Sequence, residues 1–128
     1  MTANLPLKEV KAIELEADFQ HFEPERQVIV HCCLWAIPGF MVRIWRSTYL
    51  QPQNFPDRIP LLHAENISFA PVWTPIEFFG AYSFTLVFAG LPAGCSTFDL
   101  IEDIDDPLGA FRVEGIARNE TDVYTVWL

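Results

Sequence analysis

His31 and Cys33 form the nearest thing in this sequence to a reactive pair. A thiol beside an imidazole is the core of a cysteine nucleophile, and residues two apart on a strand share one face. Ile29 and Trp35 share that face as well, and nothing close in sequence orients the imidazole. Packing is therefore the favoured reading, and no catalytic residue is assigned. The histidines His21, His31 and His63, taken with Cys32, Cys33 and Cys95, contain the donor types of a zinc site. They lack the short, regular spacings of structural zinc sites, so no metal and no cofactor is expected.

Glu102, Asp103, Asp105 and Asp106 crowd one turn. Asp103, Asp105 and Asp106 offer calcium-type oxygen donors. The EF-hand spacing is not met, because Ile104 and Pro107 interrupt it and no Glu closes the loop. A solvated turn is favoured, since acids also discourage a strand end from pairing with another chain. Trp73, Phe78 and Phe79 lie in or beside the Pro-bounded stretch "PVWTPIEFFG". They are the candidates for stacking on a sugar ring or anchoring a partner, and the alternative is that they fold back over the end of the core.

The elements that must carry these residues are strands. In "YSFTLVFAGLPAGCSTFDLIED", residues 82–103, no charge occurs before Asp99. A membrane helix is excluded by Gly90, Pro92 and Gly94 and by the period of two. Tyr82, Phe84, Leu86 and Phe88 fall on one side, and Ser83, Thr85 and Val87 on the other. That alternation belongs to a half-buried strand. "AGLPAGC" is then a turn and "STFDLIED" a second strand. "RQVIVHCCLWA" is apolar on both faces and reads as a central strand. "FMVRIWRSTYL" follows as one strand after the turn "IPG". "LLHAENISFA" holds one or two short strands, "PVWTPIEFFG" a loop, and "AFRVEGIA" and "DVYTVWL" the last two strands. "KEVKAIELEAD" alternates with a slip between Ala12 and Ile13, the mark of a β-bulge, with a helix as its rival. On the strand from Phe40, Met41 and Trp45 oppose Phe40, Val42 and Ile44, and the sequence leaves open which set faces out.

Turn signals at roughly 8–12-residue spacing mark an all-β sandwich or barrel. The expectation is a single-domain antiparallel β-sandwich, immunoglobulin-like, of about seven to nine strands, spanning residues 1–128. An antibody-type disulfide does not fit, because Trp45 suits the spacing from Cys32 or Cys33 but Ala93 stands where a Tyr should precede Cys95. Adjacent Cys32 and Cys33 would bridge only at the cost of a strained backbone. One bridge to Cys95 stays open beside the favoured reading of three reduced, mostly buried thiols.

The net charge is −9, from eight Lys and Arg against 17 Asp and Glu. No broad basic face can form, so nucleic acid and anionic membrane surfaces are not expected as partners. The first 19 residues hold no apolar run of signal-peptide length. A cytoplasmic protein is expected if the chain is complete, and an exported one if a leader has been removed. In a bacterial cytoplasmic protein the sequons at Asn66 and Asn119 carry no meaning.

The order "IVHCCLWAIPGFMVRIWRSTYL", "IPLLHAENI", "WTP", "YSFTLVFAGLP", "TFDLIED" and "AFRVEGI", over about residues 28–117, resembles an uncharacterised bacterial β-sandwich domain that often precedes thioredoxin-like domains. The resemblance implies a β-sandwich with no assigned activity and no catalytic motif. No Cys-x-x-Cys follows here, so the likeness is to a free-standing version. The functional expectation is a non-enzymatic protein–protein interaction or accessory module, with a homodimer as one form of that contact. The alternative is a small-ligand or carbohydrate-binding module, and a hydrolase ranks below both. A second apolar face beside the core is expected to be covered, either by the N-terminal segment or by a second copy of the chain.

Overall fold

The computed structural model describes residues 26–105 and 110–128. The expectations for residues 8–18, for His21 and for Asp106 fall outside the described residues. Among these there are nine strands and no helix, so the fold is all-β. In chain order the strands are β1 (Val28–Ala36), β2 (Phe40–Val42), β3 (Tyr49–Pro52), β4 (Ile59–Glu65), β5 (Thr74–Ile76), β6 (Gly80–Phe88), β7 (Thr97–Ile101), β8 (Arg112–Ala117) and β9 (Val123–Trp127).

Seven of them bond in the order β9-β1-β6-β4-β3-β7-β8, and β2 and β5 form a separate ribbon. The pairings are antiparallel except one. β9 runs parallel to β1, with Val123 opposite Ile29 and Trp127 opposite Cys33. The seven-stranded sheet curls until its two halves face each other. Phe98 on β7 meets Tyr124 on β9 edge to face, with ring centroids 5.0 Å apart, although β1, β6, β4 and β3 lie between them in the sheet. One apolar core fills the interior.

The alternation chooses that core. Val28, Val30, Cys32, Leu34 and Ala36 of β1 are buried, and so are Tyr82, Phe84, Leu86 and Phe88 of β6. Antiparallel register sets Val30 opposite Leu86 and Cys32 opposite Phe84, so the inward side chains of the two strands stack as one layer. Each large side chain fully removed from water here contributes about 1.5–3 kcal/mol. The sequence could not decide between the two faces of β1. The structure turns the Val28–Ala36 set inward and leaves Ile29, His31, Cys33 and Trp35 on the outer face, half-buried or exposed.

Two stretches differ from expectation. "FMVRIWRSTYL" is not one strand. It breaks after Val42, because Ile44 pairs with Phe69 instead of continuing the ribbon and Thr48 N–H closes a turn onto Trp45 O at 3.0 Å. The chain then re-enters the main sheet as β3. Conversely, "PVWTPIEFFG" is more than a loop, since Thr74–Ile76 pairs with β2. The turn between β1 and β2 places Gly39 at φ 100°, a conformation open to glycine and costly for other residues.

The strands define two ends. At one, the chain entering β1, the turn from β8 into β9 and the β6–β7 connection converge on Asp122. Its carboxylate is fully buried and accepts from Arg26 Nη2 at 2.8 Å, from Arg118 Nη2 at 3.0 Å and from the Tyr124 hydroxyl at 2.7 Å. Arg118 also donates to Pro92 O at 2.6 Å, which ties in the β6–β7 connection. Asn119 Oδ1 accepts from Asp122 N–H at 2.7 Å and Thr121 N–H at 3.0 Å and shapes the turn. At the other end, β1 and β9 finish, β6 begins, and the β2–β5 ribbon packs across.

Candidate functional site

The ribbon end holds a cleft of about 590 Å³. Its walls include Leu34, Trp35, Met41, Trp45, Trp73 and Phe111, with Leu128 at the end of β9. The ribbon register explains how these meet. Phe40 faces Ile76, Met41 faces Pro75, and Val42 faces Thr74. One further step along that register sets Arg43 across from Trp73. Met41, Arg43 and Trp45 share a parity and point to the cleft, while Val42 and Ile44 point into the core. This answers the question the sequence left open for this segment. Trp35 is 62% exposed, Met41 54% and Trp73 45%.

Arg43 carries the one charged side chain among the described residues that line the cleft. Its guanidinium carbon lies 3.8 Å from the centroid of the Trp73 ring and 5.2 Å from that of Trp45. The cation is attracted by the electron-rich faces of both rings. Arg43 Nη1 donates to Pro71 O at 3.3 Å. A second depression beside the cleft is lined by Pro38, Gly39, Pro75 and Glu77 along the ribbon.

No protein-family model matches this sequence, and no curated protein or solved structure proved similar to it.

The three aromatic candidates separate. Trp73 lines the cleft. Phe78 and Phe79 sit at the same end of the molecule, on the turn from β5 into β6, but not in the cleft wall. Phe78 packs on Tyr82 with centroids 6.3 Å apart, and the Tyr82 hydroxyl donates to Asn66 O. Phe79 is 70% exposed.

The acidic turn also separates. Glu102 is not solvated but buried. It continues the inward parity of Phe98 and Leu100, and it accepts from Phe111 N–H at 3.1 Å and Trp45 N–H at 3.3 Å. Asp103 pairs with Arg58 at 3.2 Å on the surface. Among the described residues no group of three or more His, Cys, Asp or Glu is placed to hold a metal ion.

His31 and Cys33 do share a face, as expected, yet they turn to separate partners on β6. His31 Nδ1 bonds Thr85 Oγ1 at 2.8 Å, and Cys33 Sγ lies 3.6 Å from Ser83 Oγ. His63 Nε2 pairs with Glu65 at 2.6 Å in solvent. The three cysteines are free. Burial, with the neighbouring Cys33, pushes the Cys32 thiol up to about 12, which makes it a poor nucleophile near neutral pH. No helix among the described residues is long and apolar enough to cross a membrane.

Sequence reasoning missed Trp35, Met41 and Arg43 as a group. Their signal was the outward parity of the segment from Met41 to Trp45, readable only once Val42 and Ile44 are known to point inward.

Proposed function

We propose that this protein is a non-enzymatic β-domain that binds another protein through its ribbon end. One observation carries the reading: exposed Trp35, Phe40, Met41, Trp73, Phe78 and Phe79 gather where β1 ends and β6 begins. Large apolar side chains collected at one end, rather than scattered, mark interaction surfaces, and aromatic and Met side chains are the residue types that anchor them. The curled sheet is read as an immunoglobulin-like sandwich whose end loops present this surface. The accessory role implied by the resemblance to the bacterial β-sandwich domain agrees with it. A second copy of the chain is one partner that would fit.

The small-ligand or carbohydrate reading draws support from the cleft beside Trp73. Sugars, however, need several hydrogen-bonding side chains around the stacking ring. Here Arg43 already lies over Trp73, and it has the single charged side chain among the described wall residues.

The test is a photo-reactive residue placed at position 41 and, as a control, at Gln53 at the Asp122 end, with cross-linking in the source cells. A discrete protein adduct at 41, absent at 53 and lost when Trp35 is changed to Glu, is expected. Equal adducts at both positions, or none at 41, would refute the reading. An adduct of twice the chain mass, matched by dimers in light scattering, would identify the partner as a second copy.

A further inference from the structure

The described residues include six arginines, in a chain with a net charge of −9. Four of them meet carboxylates: Arg26 and Arg118 on Asp122, Arg58 on Asp103, and Arg112 on Glu114. The remaining two, Arg43 and Arg46, have no carboxylate partner among the described residues, and both rest on aromatic rings. Arg46 lies 3.9 Å from the Phe69 centroid and is not part of the cleft wall. Arg43 is therefore the one charged side chain of the described cleft wall, and it meets no carboxylate side chain among the described residues, within a protein that has acids to spare.

The way Arg43 is held bears on what it can bind. A guanidinium stacked on an indole is shielded on its face, while its N–H donors stay in the plane, aimed outward in a fixed fork. Of five such donors, one makes a hydrogen bond among the described residues, the long contact to Pro71 O. The fork that remains fits two carboxylate oxygens side by side. Trp35, Met41, Phe111 and Leu128 line the rest of the cleft and suit an apolar side chain.

We infer that the cleft takes a peptide segment of a partner protein in which an apolar side chain, seated among Trp35, Met41 and Phe111, stands next to a carboxylate that pairs with Arg43. This rests on the protein-binding reading and gives its partner a chemistry. A peptide is assigned rather than a free acid because the walls do not enclose. Pockets for small ligands bury most of the ligand surface, whereas Trp35, Met41 and Trp73 stay roughly half open, and the apolar surface runs on past the cleft to Phe78 and Phe79.

The test uses the whole chain and a set of capped, alanine-based pentapeptides. Each carries one Phe or Leu, with Glu, Gln or Lys at each other position in turn. Binding is read from the indole N–H resonances of Trp35, Trp45 and Trp73, and free phenylacetate serves as the small-acid arm. In the best register the Glu peptide is expected to bind about tenfold more tightly than its Gln counterpart, as a charge-assisted pair would give. Arg43→Gln is expected to remove that difference. The comparison of Glu with Gln on the unaltered protein needs no variant, so a misfolded Arg43→Gln does not spoil it. Equal binding of Glu and Gln peptides, abolished by Met41→Asp, overturns the inference and leaves the protein-binding reading standing. Phenylacetate binding as tightly as the best peptide overturns the choice of a peptide. If no peptide moves the indole signals, the inference falls, and the cross-linking at position 41 decides the protein-binding reading.

Discussion

Asp122 and Arg118, four residues apart, meet through two hydrogen bonds: Arg118 Nε to Oδ1 at 3.1 Å and Nη2 to Oδ2 at 3.0 Å. The pair closes the turn from β8 into β9 and, through Arg26, holds the start of β1 beside it. Asp122 also adopts φ 56°, which Asn tolerates nearly as well as Asp. Asp122→Asn therefore removes the charge while keeping the backbone. It leaves two guanidinium groups facing a neutral amide; Arg26 is about half exposed and can turn to water, so the cost is that of lost charged hydrogen bonds, about 1.5–3 kcal/mol. Urea denaturation of the two proteins at pH 7 measures the difference. A loss below about 0.5 kcal/mol, the scale of an ordinary surface change, would show that the network is ornamental.

The same network predicts how stability follows pH. Burial raises the Asp122 carboxyl pKa, but hydrogen bonds from Arg118, Arg26 and Tyr124 outweigh it and hold the value below the ordinary aspartate range. A group depressed in the folded state stabilises above its unfolded pKa, and the stabilisation is lost as pH falls through the folded value. Wild type should lose stability on acidification below about pH 4, and Asp122→Asn should lack that share of the slope. Tyr124 acts at the other extreme. Burial and its bond to Asp122 push it up from 10.0 to about 12, so its contribution is complete below pH 10 and lost between 10 and 12. Chemical denaturation across pH 2–6 and pH 9–12, with Tyr124→Phe as the second variant, reads both windows.

Phe98 is fully buried and touches Tyr124 across the interior. Phe98→Ala should cost about 3–5 kcal/mol, the range for deleting a core aromatic. Trp35→Ser, on the outer face, should change stability by about 0.5 kcal/mol or less. Thermal or urea unfolding of the two variants checks the contrast. A reversed order would mean that the outer face of β1 is covered in the free protein.

Thiol labelling should discriminate among the cysteines. Cys32 and Cys95 are buried and Cys33 only partly so, and burial raises both the Cys32 and the Cys95 thiol pKa. Iodoacetamide at pH 8 should modify Cys33 first, with Cys32 and Cys95 protected until the protein unfolds, as peptide mass mapping would show. Early modification of Cys32 would contradict the inward orientation of its face of β1.

Glu102 accepts from the backbone of Trp45 and Phe111. Glu102→Ala strands both N–H groups, at about 1–3 kcal/mol for each one left buried and unpaired, and frees the segment that carries Trp45. A red shift in tryptophan emission together with a lower denaturation midpoint is expected.

Residues whose environment is set by their own strand were legible in advance. Tyr82, Phe84, Leu86 and Phe88 could be assigned to one face because a period of two allows no other arrangement. Glu102 obeyed the same rule, as the continuation of Phe98 and Leu100. Its charge hid it, because four acids within five positions suggest water more strongly than one buried position can contradict. Asp122 gave no local signal at all. Its burial depends on Arg26, which meets it only after the first and last described strands have come together. The cleft was half legible. Trp73 was singled out, but Arg43 reads as an ordinary surface base until the ribbon register sets it against that ring. Phe78 and Phe79 were grouped with Trp73 by proximity in sequence, yet on the turn from β5 into β6 they stay at the same end of the molecule outside the cleft wall.

The parallel pairing of β9 with β1 has a consequence for how the molecule is made. Until residue 127 leaves the ribosome, β1 has β6 on one side and an unfilled row of amides and carbonyls on the other. An apolar strand with one bare edge is the kind of element that joins a neighbouring chain by mistake. The nascent protein should thus be at its most aggregation-prone between the emergence of β6 and that of β9 from the ribosome.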